Sequence, residues 1–191
     1  MAYIKVIQPG EADKRLKEIY QDVIKHRGKL AEVHKVQSLN PETIVKHIDL
    51  YMSIMFGRSP LSRAQREMIG VVVSAANQCT YCVIHHGMAL NHYWKDENKV
   101  AQLRLNLEGF QSRVPGMNTV DKLLCQYARD LTKEPGRANE ENHVKPLKQA
   151  GLDDRAILDA TLVIAYFNFV NRLVTGLGVT LEEEEVGGYK Y

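Results

Sequence analysis

The sequence predicts a single all-α domain built from several helices. Its 191 residues fit about one domain at a typical size of ~150 residues. Apolar residues recur at the three- and four-residue spacing of helices, and glycine or proline separates these segments. No segment shows the apolar–polar alternation that is typical of a half-buried strand.

The first three segments begin and end at recognisable signals. Residues 11–26 carry apolar side chains at helical spacing, and Gly28 can end that helix. Residues 30–36 predict a short helix or an ordered link. Asn40 and Pro41, a capping residue and a first-turn proline, predict a helix over 41–56.

The next two helices form the predicted centre of the domain. Ser62 and Gln65 resemble a capping box, and the nearly all-apolar run that follows predicts a buried helix over 62–76. A break at Asn77-Gln78 then separates it from a second helix over 79–94.

The remaining helices follow the same logic of caps and breakers. Gly109, Pro115-Gly116, Pro135-Gly136 and Gly151 punctuate this part of the chain, and Asp153 can cap the last helix. Pro146 predicts a late start or a kink in its own helix. The predicted helices are 96–107, 119–131, 140–150 and 154–175.

Composition narrows the function classes. The net charge is only +2 and the basic residues are scattered, so no nucleic-acid surface is expected. The longest apolar stretch, 156–169, is interrupted by Asp159 and Asn168, and we expect no membrane span. Three cysteines and no signal-like N-terminal run predict a reducing, cytoplasmic location. The acidic tail, 182–191, is expected to be mobile.

The informative stretch contains Cys79, Cys82 and His86. At ~100° per residue on a helix, the three side chains share one face. A helix N-terminus favours a thiolate, and His86, one turn after Cys82, can accept its proton. Cys79 is close enough to attack an oxidised Cys82. Glu67, on the preceding apolar helix, is the candidate to orient the imidazole, because an unpaired carboxylate would be costly to bury there.

Other chemistries use similar residues. Val83 follows the second cysteine where a c-type haem site requires histidine, so that site is excluded. Zinc could use both cysteines, His86 and Glu67, although structural zinc ligands usually come from two separated loops. A redox-sensing or scaffold protein would need the same dithiol as an enzyme.

The spacing Glu67–x11–Cys79–x2–Cys82–x3–His86 resembles the motif of alkylhydroperoxidase D-like proteins. These form the CxxC-bearing branch of the carboxymuconolactone decarboxylase-like superfamily. The phrase from Ser74 to His86 is similar to its "peroxidase-related" branch. The resemblance extends to Asn40-Pro41-Glu42 and to residues 166–172, and therefore covers most of the chain.

The resemblance implies a thiol-dependent hydroperoxide reductase that needs no cofactor and no metal. Cys82 would be the peroxidatic cysteine and Cys79 the resolving one, with Glu67 and His86 as a proton relay. An external dithiol, lipoyl- or thioredoxin-like, would restore the pair. Well-studied members carry histidine where this chain has Tyr81, and His85 and Ser74 are further accessory candidates.

The resemblance also implies a homo-oligomer, a trimer or hexamer built from dimers. The nearly all-apolar helices 68–76 and 157–169 point the same way, because such helices must be covered on every side.

Several chemistry-bearing residues lie outside the motif. Cys125 is expected to be a small buried core residue, and the five histidines outside the motif are expected to be surface or packing residues. Asn168, Asn171, Arg172 and Thr175 form a polar stripe on an apolar helix. The stripe predicts a buried hydrogen-bond network or a subunit contact, and alternatively Asn168 or Arg172 would line the pocket.

Overall fold

The computed structural model describes residues 2–105, 107 and 114–181. Within these residues every regular element is helical and no strand occurs, so the predicted all-α class is confirmed. The chain forms two compact units, Met1–Ser53 with Arg172–Tyr191 and Ile54–Asn171. The prediction of one domain over the whole chain stays a prediction.

The helices lie close to their predicted bounds. A 3-10 turn, Pro135–Arg137, and a π-helix, Glu140–Val144, lie between the helix that ends at Lys133 and the helix that begins at Lys145. The α-helices are α1 (Lys14–Arg27), α2 (Glu32–Lys35), α3 (Pro41–Phe56), α4 (Arg63–Ala76), α5 (Thr80–Trp94), α6 (Glu97–Leu105), α7 (Thr119–Lys133), α8 (Lys145–Gln149) and α9 (Asp154–Gly176). The predicted stop at Gly109 and the tail 182–191 lie outside the described residues.

The first unit contains α1, α2 and most of α3. Asp13 caps α1 by accepting a hydrogen bond from the Leu16 backbone amide at 2.8 Å, so the helix begins three residues later than predicted. Gly28, at φ 80°, ends it in the left-handed conformation that glycine adopts without steric cost. The core of this unit is a cluster of buried side chains: Leu16, Ile19, Tyr20, Val23 and Ile44.

The second unit is organised around α4. The predicted capping box is confirmed, because the Ser62 and Gln65 side chains each bond the other's backbone amide. α4 packs against α5, α6 and α7, and every residue from Arg66 to Ser74 is buried. The chain itself therefore covers this apolar helix, which was part of the sequence argument for an oligomer.

Pro146 has a visible effect on the helix that contains it. Proline cannot donate the backbone hydrogen bond of a regular turn, and its ring crowds the preceding turn. The chain forms the wide π-helical turn Glu140–Val144 directly before Lys145–Gln149. The predicted kink thus takes the form of a π-helix joined to a short α-helix.

By length and composition alone, α9 could cross a membrane. No other helix among the described residues meets this criterion. Half of its most apolar window is buried within the protein, and the core helix of a soluble protein meets the same criterion. The side chains of Leu158, Leu162 and Phe169 are 54%, 40% and 50% exposed.

Candidate active site: a buried dithiol beside a glutamate–histidine pair

Glu67 lies at the centre of the site and has no exposed surface. Its Oε2 is 2.7 Å from Nδ1 of His86, on the neighbouring helix α5. Its Oε1 accepts a hydrogen bond of 2.7 Å from Nη2 of Arg63. The predicted contact between Glu67 and His86 is therefore present and direct, and the carboxylate is satisfied on both oxygens.

The Glu67 contact determines the tautomer of His86. A carboxylate only accepts hydrogen bonds, so Nδ1 of His86 must carry the proton that it donates. In the neutral ring Nε2 is then the free base, which is the arrangement that proton transfer requires. The ring of Phe167 packs edge-on against His86, with centroids 4.4 Å apart, and holds its plane.

Gly70 makes the position of Phe167 possible. A Cβ atom at residue 70 would lie 2.7 Å from two atoms of the Phe167 ring, closer than carbon atoms pack. The small residue thus lets α9 approach α4 and bring the aromatic ring of Phe167 against the imidazole.

Arg63 is a site residue that the sequence analysis missed. It lies one helical turn before Glu67, its Nη1 donates to the Met55 carbonyl, and its guanidinium lies 3.5 Å from the centre of the Phe56 ring. The i,i+4 spacing to a buried glutamate was the available signal. Arg63 places a positive charge beside the fully buried carboxylate.

The turn between α4 and α5 positions Cys79. Gln78 adopts φ 57°, and the Cys79 amide donates to the Ser74 carbonyl at 2.9 Å, which is the Schellman pattern of a helix end. Cys79 is also the N-cap residue of α5, and Cys82 lies in its first turn. Both sulfurs therefore lie at the N-terminus of α5, where backbone dipoles favour negative charge.

The two thiols are free, and they act as one ionising pair. Both are buried, at 1% and 2% exposure for Cys79 and Cys82. A hydrogen bond from Cys82 lowers the pKa of Cys79, and burial opposes this effect. The hydrogen bond to Cys79 and burial raise the pKa of Cys82 well above its ordinary value. The resting geometry favours Cys79 as the thiolate, whereas the resemblance gives the attack to Cys82.

Part of the predicted polar stripe forms a hydrogen-bond network. Asn77, after α4, donates to the side-chain oxygens of Asn168 and Asn171 at 3.1 and 3.0 Å. Asn171 donates to Ser74 Oγ at 3.1 Å, and its side chain acts to lower the pKa of both thiols. The stripe residue that acts on the dithiol is thus Asn171, which was not the expected pocket residue, and Arg172 is exposed.

The other candidates lie nearby in different arrangements. Tyr81 is buried, and its ring contacts that of His85 with centroids 4.6 Å apart. Ser74 joins the site through Asn171. Cys125 is fully buried as predicted, and burial raises its pKa well above the ordinary value. Of the five other histidines, His34, His47 and His143 are packed inside the protein.

The geometry gives no support to the zinc alternative. Within residues 2–105, 107 and 114–181, no three histidine, cysteine or acidic side chains come together as metal ligands. Glu67 directs its two oxygens to Arg63 and His86. No hydrogen bond joins His86 to either thiol among the described residues, so the roles predicted for the cysteines and the relay remain predictions.

Comparison with known proteins agrees with the motif. The model of the carboxymuconolactone decarboxylase family matches residues 46–108. Sestrin-1 of Xenopus laevis is 20% identical over 190 residues, which cover 98% of this chain and 37% of that protein. The chain thus spans just over a third of the length of this curated relative.

Two solved structures share the fold over nearly the whole chain. A peroxidase-related protein of Ralstonia eutropha JMP134, described as an alkylhydroperoxidase AhpD core, superimposes with a TM-score of 0.83 at 22% identity, covering 97% of this chain and 94% of that one. A peroxidase-related protein of Silicibacter sp. TM1040 gives 0.80 at 27% identity, covering 92% and 91%. The chain therefore has the AhpD-like fold, and residues 46–108 within it match the carboxymuconolactone decarboxylase family model.

Proposed function

We propose that the chain is a thiol-dependent hydroperoxide reductase. The observation that supports this most directly is the 2.7 Å contact between the fully buried Glu67 and His86, one helical turn from a buried and reduced CxxC pair. The peroxidase-related proteins that share the fold support a general role in peroxide reduction.

The reaction follows from the chemistry of the pair. His86 takes the proton of the Cys82 thiol, and the Cys82 thiolate attacks the terminal oxygen of the hydroperoxide. The O–O bond breaks, and His86 passes the proton to the leaving alkoxide. The Cys82 sulfenic acid then condenses with the Cys79 thiol, releasing water and forming a disulfide. An external dithiol reduces that disulfide by exchange and becomes oxidised itself.

Peroxide consumption with a dithiol reductant tests this proposal. We expect repeated turnover by the wild type, no turnover by Cys82→Ser, and a sulfenic acid that accumulates in Cys79→Ser. Cys125→Ala is the matched control, because Cys125 is a buried free thiol outside the CxxC motif, and it should turn over like the wild type. Turnover by Cys82→Ser with loss in Cys79→Ser would reverse the two cysteine roles.

The burial of both sulfurs favours a second candidate, a redox sensor. A thiol that is 1% or 2% exposed meets a small oxidant more readily than a bulky one. A sensor would be oxidised once by hydrogen peroxide. Its disulfide would then stay oxidised even with excess dithiol present, whereas the dithiol would reduce the disulfide of an enzyme in every cycle. Stoichiometric oxidation without turnover would therefore support the sensor and contradict the enzyme.

We propose in addition that the chain forms a homo-oligomer through α9. Leu158, Leu162, Ala165 and Phe169 are exposed at spacings of four, three and four residues, so they form one apolar stripe along this helix. Light scattering of dilute wild-type protein should show more than a monomer, and Leu162→Glu should lower the mass. Arg172→Glu, an exposed charge change on the same helix, is the control. A wild type at monomer mass would contradict the proposal.

A further inference from the structure

Asn171 is a fully buried amide that the relay does not use. It lies on α9 and reaches the dithiol, although 89 residues separate it in sequence from Cys82. Its Nδ2 donates to Ser74 Oγ at 3.1 Å, and its Oδ1 accepts from Asn77 Nδ2 at 3.0 Å. The Ser74 carbonyl in turn accepts a hydrogen bond from the Cys79 backbone amide at 2.9 Å, and the Asn171 side chain acts to lower the pKa of both Cys79 and Cys82.

The network determines which end of the Asn171 amide faces the sulfurs. Asn168 contacts the Ile164 carbonyl at 3.0 Å, and because a carbonyl only accepts, Asn168 must present its NH2 group there. Its oxygen then faces Asn77, so Asn77 must donate. Because Asn77 also donates to Asn171, the oxygen of Asn171 is occupied, and its NH2 group is the end that donates to Ser74 and is left to act on the thiols.

This orientation distinguishes the two protonation states of the dithiol. An amide N–H stabilises a thiolate, which is a charged acceptor, more strongly than it stabilises a neutral thiol. The Asn171 hydrogen bond lowers the pKa of Cys79 in the same direction as the larger effect of Cys82, and it partly offsets the raised pKa of Cys82.

We propose that Asn171 is a catalytic residue of the dithiol site, whose amide N–H donates to the thiolate sulfur of the CxxC pair and promotes its ionisation. Its part in catalysis rests on the proposed function, but its part in thiol ionisation does not. The amide also connects α9 to the reacting sulfurs, so the site needs residues from both ends of the second unit.

Other ionisable groups lie on the helices that surround the thiols. α9 brings no acidic, basic or histidine side chain between Ala160 and Asn171. Glu67 has its charge matched by Arg63. A neutral amide is therefore the α9 group that acts on the thiolate. Besides the thiols, the ionisable groups of α4, of α5 up to His86 and of α9 from Ala160 to Arg172 are Arg63, Arg66, Glu67, Tyr81, His85, His86, Tyr166 and Arg172.

The pH dependence of alkylation by iodoacetamide tests the proposal without any peroxide. We expect Asn171→Leu to move the midpoint of thiol alkylation upward by about one pH unit or more, since a hydrogen bond to a charged group is lost. Thr132→Val is the control. It removes the Thr132 hydroxyl, which accepts a hydrogen bond from Asn168 at 3.0 Å. The hydrogen bond from Asn168 to the Ile164 carbonyl, which fixes the orientation of the Asn168 amide, is kept. Its midpoint should match the wild type.

Two further measurements separate this role from a general packing effect. Asn171→Ala should raise the midpoint as Asn171→Leu does, although it leaves space instead of adding apolar volume. In the wild type, the side-chain amide resonances of Asn171 should shift with the same pH midpoint as alkylation. The proposal would be overturned if the Asn171 amide resonances did not shift as the thiol ionises. An unchanged alkylation midpoint in a folded Asn171 variant would also overturn it. A shifted midpoint in a protein that never turns over peroxide would overturn the proposed function and leave this inference intact.

Discussion

Replacing Glu67 by glutamine changes one oxygen of the carboxylate into an NH2 group and removes the charge. The wild-type side chain accepts from Arg63 and from His86, each at 2.7 Å, with no exposed surface. Glutamine has a single acceptor oxygen, so it can satisfy only one of these donors. If that oxygen stays with Arg63, the NH2 group faces Nδ1 of His86 and forces this nitrogen to accept.

Both stability and activity should respond. Removing one partner of a buried ion pair costs about 3–5 kcal/mol, and because glutamine keeps one acceptor we expect about 3 kcal/mol. At the urea dependence of a small protein this lowers the unfolding midpoint by roughly 1–2 M. With Nδ1 as acceptor, the proton of His86 moves to Nε2, which can no longer act as a base. Loss of a general base lowers turnover by about 10²–10⁴.

Urea unfolding and peroxide turnover measure the two effects separately. Glu42→Gln is the matched control, since Glu42 makes a similar 2.7 Å contact with Arg15 at the surface, where both side chains are more than half exposed. We expect no measurable change in its unfolding midpoint or its activity. If Glu67→Gln unfolds and turns over like Glu42→Gln, neither the buried pair nor the tautomer matters, and the reasoning fails.

Three other predictions concern separate features. Gly70→Ala should destabilise the protein by about 1–3 kcal/mol in urea, because its Cβ would lie 2.7 Å from Phe167, whereas Gly87→Ala, with its nearest contact at 3.5 Å, should not. Burial lowers the pKa of His47 to about 4 from 6.5. The unfolded chain therefore takes up the proton first as pH falls, and roughly 3 kcal/mol of stability is lost between pH 6.5 and 4. His47→Gln should flatten this part of the stability profile measured by urea unfolding. Tyr81→His, which restores the usual residue of the resembled family, should raise peroxide turnover, and unchanged turnover would show that the tyrosine does not limit the relay.

The helix bounds could be predicted because they depend on local chemistry. Asp13, Ser62 and Asn118 each accept a hydrogen bond from a backbone amide of the first turn, and the sequence shows such caps directly. The start of α1 moved by three residues, because Asp13 caps that helix. The π-helix before Pro146 was predicted only as a kink, because sequence spacing does not say how a proline is accommodated.

The motif residues of the site could be predicted for the same reason. Cys79, Cys82 and His86 lie within two helical turns, so spacing alone places them on one face. Asn171 could not be assigned to the dithiol, because its contact depends on how closely α9 approaches α4. That approach is decided by Phe167 packing onto Gly70, two residues that are 97 positions apart. Arg63 was missed although its i,i+4 spacing to Glu67 was available.

The burial of polar groups points to the dithiol as the place where this chain does chemistry. Among the described residues, three polar side chains have no exposed surface, namely Glu67, Ser74 and Asn171. Burying a charge or an amide lowers stability unless every hydrogen bond is met, and well-packed apolar residues often stabilise a core as well or better. Stability alone would not favour such residues side by side. Glu67 instead contacts the imidazole that moves a proton. Ser74 accepts a hydrogen bond from Asn171, whose amide is proposed to act on the thiolate. A core that served packing alone would have no reason to gather its fully buried polar side chains around two cysteines.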